Sequence, residues 1–253
     1  MESIMQLTVD GCPREALVFS SGSMPPSAKH PLVFAFHPHG GTMQASSVHM
    51  GIQNLWPEAI VVYPQGLDTP TLGPVDPSGH ATGWQVEVNQ PDGVGNRDLE
   101  FFDAMLATIE QDHVVDNKRI YATGFSNGGF FSYLLWAERG QKLAAIGECA
   151  GRLWGIGASE HLTVPRPLLA IAGEDDMTDH FADQKATIDA ALVVNHATGS
   201  GISCGPMCTF YPSTIQAPVK TYIVPHGCPH AGHVYPAWAP EVIAGFFKTH
   251  ALP

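Results

Sequence analysis

Arg119-Ile120-Tyr121-Ala122-Thr123-Gly124-Phe125-Ser126-Asn127-Gly128-Gly129-Phe130-Phe131-Ser132-Tyr133-Leu134-Leu135-Trp136 is the stretch on which the reading of the fold turns. Its first five residues are a good strand and its last seven a good helix. Between them, Gly124-Phe125-Ser126-Asn127-Gly128 fits the pattern G-x-S-x-G, which marks a sharp strand-to-helix turn with a serine at its apex. Small residues two before and two after that serine let the two chain segments pass without collision. The hydroxyl then stands clear at the C-terminal edge of a sheet, with a helix N-terminus behind it.

The remaining sequence alternates short and long segments around this turn. Strands are expected at Met5–Val9, Ala16–Ser20, Leu32–Phe36, Ala59–Tyr63, Arg119–Thr123, Leu143–Glu148, Leu168–Ala172 and Val219–Val224. Helices are expected at Ser46–Trp56, Arg97–Asp112, Asn127–Arg139, Ala182–Asn195 and Pro240–His250. Leu99, Phe102, Leu106 and Ile109 recur at helical spacing and give one apolar face. Leu168-Leu169-Ala170-Ile171 is apolar on both faces, as a central parallel strand covered by helices should be. Asp10-Gly11 between the first two strands is a hairpin turn signal. These patterns predict a mostly parallel sheet with an antiparallel N-terminal hairpin and helices on both faces. Pro64–Gly95 and Ala197–Pro218 carry no strand or helix signal. Loops of that length in a compact domain usually serve function.

A chain of 253 residues suits one domain, here taken as 1–253. With only 12 Lys and Arg against a formal charge of −12, and no basic cluster, nucleic acid is not an expected partner. No apolar run reaches membrane-spanning length, so no membrane partner is expected. Met1–Ser20 reads as alternating strand rather than as a signal peptide. Cys204, Cys208 and Cys228 sit in the loop-rich last quarter, which would suit one or two disulfides in an oxidising compartment. With Cys12 and Cys149 the count is odd, leaving at least one free thiol.

A serine is a weak nucleophile until a base takes its proton, and the base needs an acid to orient it. With this turn motif the chain order is serine, acid, histidine. Glu174-Asp175-Asp176-Met177-Thr178-Asp179 follows the strand at Leu168–Ala172. Asp176 is preferred as the acid, with Asp175 and Asp179 as alternatives. The base should lie after Val219–Val224, where His233 is better placed than His226 or His230. A metal cluster of His226, Cys228, His230 and His233 is disfavoured, because the intervening prolines and glycines make no ligand scaffold. An oxyanion needs two N–H donors. Asn127, after the serine, supplies one; the other should come from His37-Pro38-His39-Gly40-Gly41. Pro38 has no N–H, so His39 or Gly40 remains, with His39 favoured. Trp84, Tyr63, Phe125, Tyr235 and Trp238 are candidates to line a substrate groove, Trp84 above all, because it lies in a polar, Gly-rich loop.

Three runs together resemble one family: Arg97-Asp98-Leu99-Glu100-Phe101-Phe102, Val115-Asp116-Asn117-Lys118-Arg119-Ile120-Tyr121 and Gly124-Phe125-Ser126-Asn127-Gly128-Gly129. Val62-Tyr63-Pro64-Gln65-Gly66, Gly83-Trp84 and Gly232-His233-Val234-Tyr235-Pro236 extend the likeness. The chain resembles the esterase/polyhydroxybutyrate-depolymerase group of α/β-hydrolases, with feruloyl (cinnamoyl) and acetylxylan esterases among its members. The resemblance implies an α/β-hydrolase fold, serine-ester hydrolysis, no metal or organic cofactor, and an extracellular setting, with a cytoplasmic one as the alternative. Counting from Gly173, the family's His-Gly-x-x-Asp loop places the acid at Asp176. The family's His-Gly after the first core strand reads His37-Pro38 here. Cys149–Pro167 is too short for a large lid, which predicts an open groove. The leading expectation is a feruloyl esterase acting on plant cell-wall esters. Alternatives are an acetylxylan esterase, a polyhydroxybutyrate depolymerase and, from another class, a carbohydrate-binding pseudo-enzyme.

Overall fold

A computed structural model describes residues 1–20, 25, 27–154 and 161–253. Twelve strands are placed among these residues. They are β1 (Glu2–Val9), β2 (Cys12–Phe19), β3 (His30–Phe36), β4 (Ile60–Pro64), β5 (Leu67–Asp68), β6 (Thr82–Gly83), β7 (Val115–Phe125), β8 (Ala145–Cys149), β9 (Leu168–Gly173), β10 (Ile202–Gly205), β11 (Cys208–Tyr211) and β12 (Val219–Val224). The helices are α1 (Met43–Met50), α2 (Ile52–Leu55), α3 (Arg97–Asp112), α4 (Asn127–Arg139), α5 (Phe181–Val194) and α6 (Ala239–Lys248).

Ten strands form one sheet in the order β1-β2-β4-β3-β7-β8-β9-β12-β11-β10. The six from β4 to β12 pair in parallel, and an antiparallel hairpin closes each edge. The N-terminal hairpin turns on Asp10 and Gly11 with φ of 48° and 76°. Two left-handed residues in succession match the twist of the flanking strands, which is why Asp-Gly marks the turn.

Each central strand is buried on both faces, and alternate residues feed two cores. From β3, Leu32, Phe34 and Phe36 pack with Leu99, Phe102 and Ile109 of α3, Phe131 and Leu135 of α4, and Ile188 of α5. Val33 and Ala35 face the other way, toward Met43, Ile52, Ile243 and Phe247 of α1, α2 and α6. This is the layered α/β-hydrolase architecture that the alternation and the resemblance predicted.

Three local readings differ from the structure. The helix expected over Ser46–Trp56 starts at Met43 and breaks at Gly51, whose φ of 52° ends α1 before a single further turn, α2. Thr42 caps α1, its side chain accepting from the Ala45 N–H at 3.1 Å. Ala197–Pro218, read as loop, contains the hairpin β10–β11, closed by a Cys204–Cys208 disulfide. Cys12, Cys149 and Cys228 are free. Pro64–Gly95 holds the short pair β5–β6. The connection Cys149–Pro167 includes residues 155–160, so the expected absence of a lid lies partly outside the described residues.

Candidate active site

The turn between β7 and α4 is as tight as its glycines predict. Ser126 sits at φ 55° and ψ −123°, a strained conformation for a residue with a side chain. A Cβ on Gly124 would lie 2.2 Å from the Gly128 carbonyl, and one on Gly128 would lie 2.3 Å from the Phe36 carbonyl. Only glycine leaves room at both positions. The Ser126 N–H donates to Cys149 O at 2.9 Å, tying the turn to the end of β8.

The loops after β9 and β12 reach the same place. Gly173 permits this contact, because a Cβ there would meet Ala231 O at 2.1 Å. The Asp175 N–H donates to that carbonyl at 2.7 Å, locking the two loops together. As a result His233 Nε2 lies 2.8 Å from Ser126 Oγ, and His233 Nδ1 lies 2.7 Å from Asp176 Oδ2.

Asp176 is buried and fully bonded. Its Oδ1 accepts from the N–H groups of Thr178 and Asp179, both at 2.9 Å. Its Oδ2 accepts from Gln184 Nε2 at 2.9 Å as well as from His233. Burial alone would raise this carboxyl, but the hydrogen bonds from His233 and the loop N–H groups outweigh it and hold Asp176 below the usual carboxylate range. The alternatives are engaged elsewhere. Asp175 pairs with exposed His226 and accepts from the Gly227 N–H. Asp179 pairs with Arg152, whose Nε lies 2.6 Å from its Oδ1. That contact is an ion pair without an aligned hydrogen bond, since neither Asp179 oxygen accepts one among the described residues. Burial pushes the Asp179 carboxyl up to about 7, with Arg152 pulling against it.

The loop after β3 is organised by His37. Its Nε2 accepts from the Gly66 N–H at 2.9 Å, so its Nδ1 carries the proton and donates to Pro38 O at 2.8 Å. Burial lowers this imidazole to about 4, keeping it neutral as those roles require. The Gly40 N–H donates to Thr82 O at 2.7 Å. Of the two donors that remained open, Gly40 is therefore occupied. Among the described residues the N–H groups of His39 and Asn127 show no intramolecular acceptor. The Asn127 side chain is bonded both ways to Trp84, accepting from its N–H at 2.7 Å and donating to its O at 3.0 Å.

Ser126, Asn127, His39 and His233 line a cavity of 320 Å³. Its walls include Leu72 and Pro74 from the loop after β5, Phe130 of α4, Arg152 and Trp154 after β8, and Met177. Three of the expected groove residues need correction. Trp84 borders the cavity, but its ring is only 1% exposed. It stacks on Phe131 and donates its indole N–H to His37 O at 2.9 Å. A tryptophan buries readily once that N–H has a partner, even from a polar loop. Phe125 and Tyr235 do not line the cavity. They stack behind His233, with ring centroids 5.2 Å apart for Phe125–His233 and 5.6 Å for Phe125–Tyr235. Of the other candidates, Tyr63 is buried in the core, and Trp238, partly buried at the start of α6, packs against that core.

The sequence reading missed Phe130, Arg152, Trp154 and Gln184. Arg152 and Trp154 follow the C-terminal end of a parallel strand, the place where sites form in α/β sheets, and that signal could have found them. Gln184 carries none, since one glutamine on a helix is unremarkable.

An α/β-hydrolase fold with a serine, a histidine and an aspartate in hydrogen-bonded series defines the class. No family model matches the chain. By sequence it is similar to a probable feruloyl esterase C of Aspergillus clavatus, 32% identical over 123 residues, covering 47% of this chain and 39% of that protein. A feruloyl esterase D of Neurospora crassa is 33% identical over 168 residues, covering 64% and 49%. A bifunctional acetylxylan esterase/xylanase of Neocallimastix patriciarum is 24% identical over 169 residues, covering 66% and 22%. The matched regions thus span half or less of each of these relatives. Two solved structures share the fold. The acetyl xylan esterase from Aspergillus awamori has a TM-score of 0.71 at 15% identity, covering 97% of this chain and 99% of that one. A ferulic acid esterase from Anaeromyces mucronatus has a TM-score of 0.67 at 15% identity, covering 99% and 90%. These relatives carry the names of esterases, and the two solved structures share the α/β-hydrolase fold.

Proposed function

We propose that the protein is a serine carboxylic-ester hydrolase acting through an acyl-enzyme, with residues 1–253 forming one catalytic domain. The observation that carries this is the unbroken series Ser126 Oγ–His233 Nε2 at 2.8 Å and His233 Nδ1–Asp176 Oδ2 at 2.7 Å. His233 takes the Ser126 proton as Oγ attacks the ester carbonyl. Asp176, buried and ionised, holds the tautomer in which Nδ1 donates to it and Nε2 faces the serine. The N–H groups of Asn127 and His39 stabilise the oxyanion, His233 returns the proton to the departing alcohol, and water repeats the cycle on the acyl-serine.

The substrate class proposed is a hydroxycinnamoyl (feruloyl) ester of plant cell-wall polysaccharide. Its support is the similarity to proteins named feruloyl esterase, together with a cavity of aromatic and aliphatic walls that suits a planar ring. The Cys204–Cys208 disulfide favours an oxidising, extracellular setting. Acetylxylan esterase activity is the second reading, favoured by the acetyl xylan esterase fold neighbour that covers both chains almost fully. The test has two arms. Ser126→Ala should lower ester hydrolysis at least about a thousandfold without unfolding the protein. Substantial turnover in that variant rules out the serine mechanism. Comparing kcat/KM on methyl ferulate, an acetylated xylan oligomer and a 3-hydroxybutyrate oligomer then ranks the substrates. A preference for acetylated xylan would replace the feruloyl reading.

A further inference from the structure

Arg152 has a setting that the hydrolytic steps do not use. Its side chain is 23% exposed and forms part of the wall of the cavity that holds Ser126 and His233. The guanidinium carbon lies 4.3 Å from the Trp154 ring centroid and 5.9 Å from that of Phe130. A guanidinium held over an aromatic ring can still donate from its N–H groups. Two carboxylates sit behind it, Asp179 at 2.6 Å and Asp183 at 3.2 Å. Among the described residues Nε is held against Asp179 and Nη1 against Asp183, and no hydrogen bond or ion pair engages Nη2. The charge is offset on one side of the fork, while Nη2 keeps its N–H groups to donate.

That combination selects a ligand chemistry. A site with net positive charge would suit a carboxylate or phosphate. Arg152, flanked by Asp179 and Asp183, has little net charge to give an anion but still has the Nη2 N–H groups to give a neutral oxygen. The aromatic faces beside it suit a ring.

We infer that Arg152 is a specificity-determining residue, donating a hydrogen bond to a hydroxyl oxygen on a ring of the substrate that packs beside Trp154 and Phe130. The inference rests on the esterase reading of the same cavity. The hydroxyl has two sources, a phenol on the acyl ring or a sugar on the alcohol side, and the chemistry at Arg152 is the same for both.

Binding without turnover separates this inference from the reading on which it rests. The Ser126→Ala protein is titrated calorimetrically with methyl cinnamate, methyl 4-hydroxycinnamate, methyl 4-carboxycinnamate and a cinnamoyl ester of a methyl arabinoside. One of the two hydroxylated ligands should bind about tenfold or more tightly than methyl cinnamate, the size of one hydrogen bond to a charged donor. Which one does so identifies the source. Adding Arg152→Gln should bring that ratio close to one. Arg152→Gln with Asp179→Asn, which avoids leaving a buried carboxylate without its cation, should do the same. Equal affinities throughout, including no measurable binding of any ligand, would overturn the inference. So would a preference that survives both substitutions, or tightest binding of the 4-carboxy ester. Wild-type turnover of 4-nitrophenyl acetate and its loss in Ser126→Ala test the esterase reading on their own.

Discussion

Acid should weaken this protein in part through the buried imidazole of His37. His37 is fully buried and neutral, accepting from the Gly66 N–H and donating to Pro38 O, and burial lowers its pKa from 6.5 to about 4. Unfolding releases it to an ordinary pKa, so between 6.5 and about 4 the unfolded chain binds more protons than the folded one. Stability therefore falls as pH drops through that window, and this contribution levels off below about 4. The two pKa values imply a loss of about 2 kcal/mol between pH 7 and pH 5, and about 3 kcal/mol by pH 4. Carboxylates titrate nearby as well, so the measurement is a difference. Urea unfolding free energies are collected from pH 7 to pH 4 for the wild type and for His37→Gln, whose amide oxygen can still accept from Gly66. The wild-type curve should be steeper by about 2 kcal/mol over the first two pH units. Parallel curves would mean that His37 is not held neutral, and the account of the β3 loop would fail with it.

Four further outcomes follow from the geometry. Asp176→Asn keeps the shape but cannot hold the same tautomer of His233, so kcat should fall on the order of ten-thousandfold with KM little changed; a loss below about tenfold would remove Asp176 from its role. Gly128→Ala forces a methyl to 2.3 Å from Phe36 O, and should either abolish soluble expression or destabilise by at least about 1–3 kcal/mol, read by thermal unfolding. Arg14 and Asp98 form a buried ion pair at 2.8 Å, and Asp98 also accepts from the Gln85 N–H. Asp98→Ala should therefore cost about 3–5 kcal/mol in urea unfolding, far more than a surface pair. Replacing both Cys204 and Cys208 by Ala opens a cross-link between residues only four apart in sequence. It should cost no more than about 2 kcal/mol and leave ester turnover intact, because the hairpin is at the sheet's edge.

Much of this architecture is legible in the sequence, for reasons that lie in particular residues. α3 spans Arg97–Asp112 as expected, because Leu99, Phe102, Leu106 and Ile109 make one unbroken stripe. The elbow was legible because two glycines and a serine at fixed spacing answer one steric problem. Serine, acid and histidine were legible as chain order, and the structure brings Ser126, Asp176 and His233 together. What stayed hidden was decided by contacts distant in sequence. β10 lacks alternation because every one of its residues is exposed, and β11 buries only Cys208, whose disulfide to Cys204 ties the two strands together. Trp84 looked exposed among glycines and aspartates, yet its loop folds back onto Phe131 and His37. Arg152 faces the cavity only because β8 ends there, a fact of topology rather than composition.

The two ends of the ten-stranded sheet have unequal consequences for the protein as a colloid. β10 is four residues long and pinned by a covalent ring, so it offers a neighbouring molecule little ladder to extend. β1 is eight residues long and, among the described residues, pairs on one side only, leaving a row of backbone donors and acceptors facing outward. It carries a single charged side chain, Glu2, and exposes Ile4 at its centre. Association at high concentration should therefore begin along β1. A lysine at Ile4 should raise the concentration at which the protein stays dispersed, whereas reductant, which opens only the other edge, should change it far less.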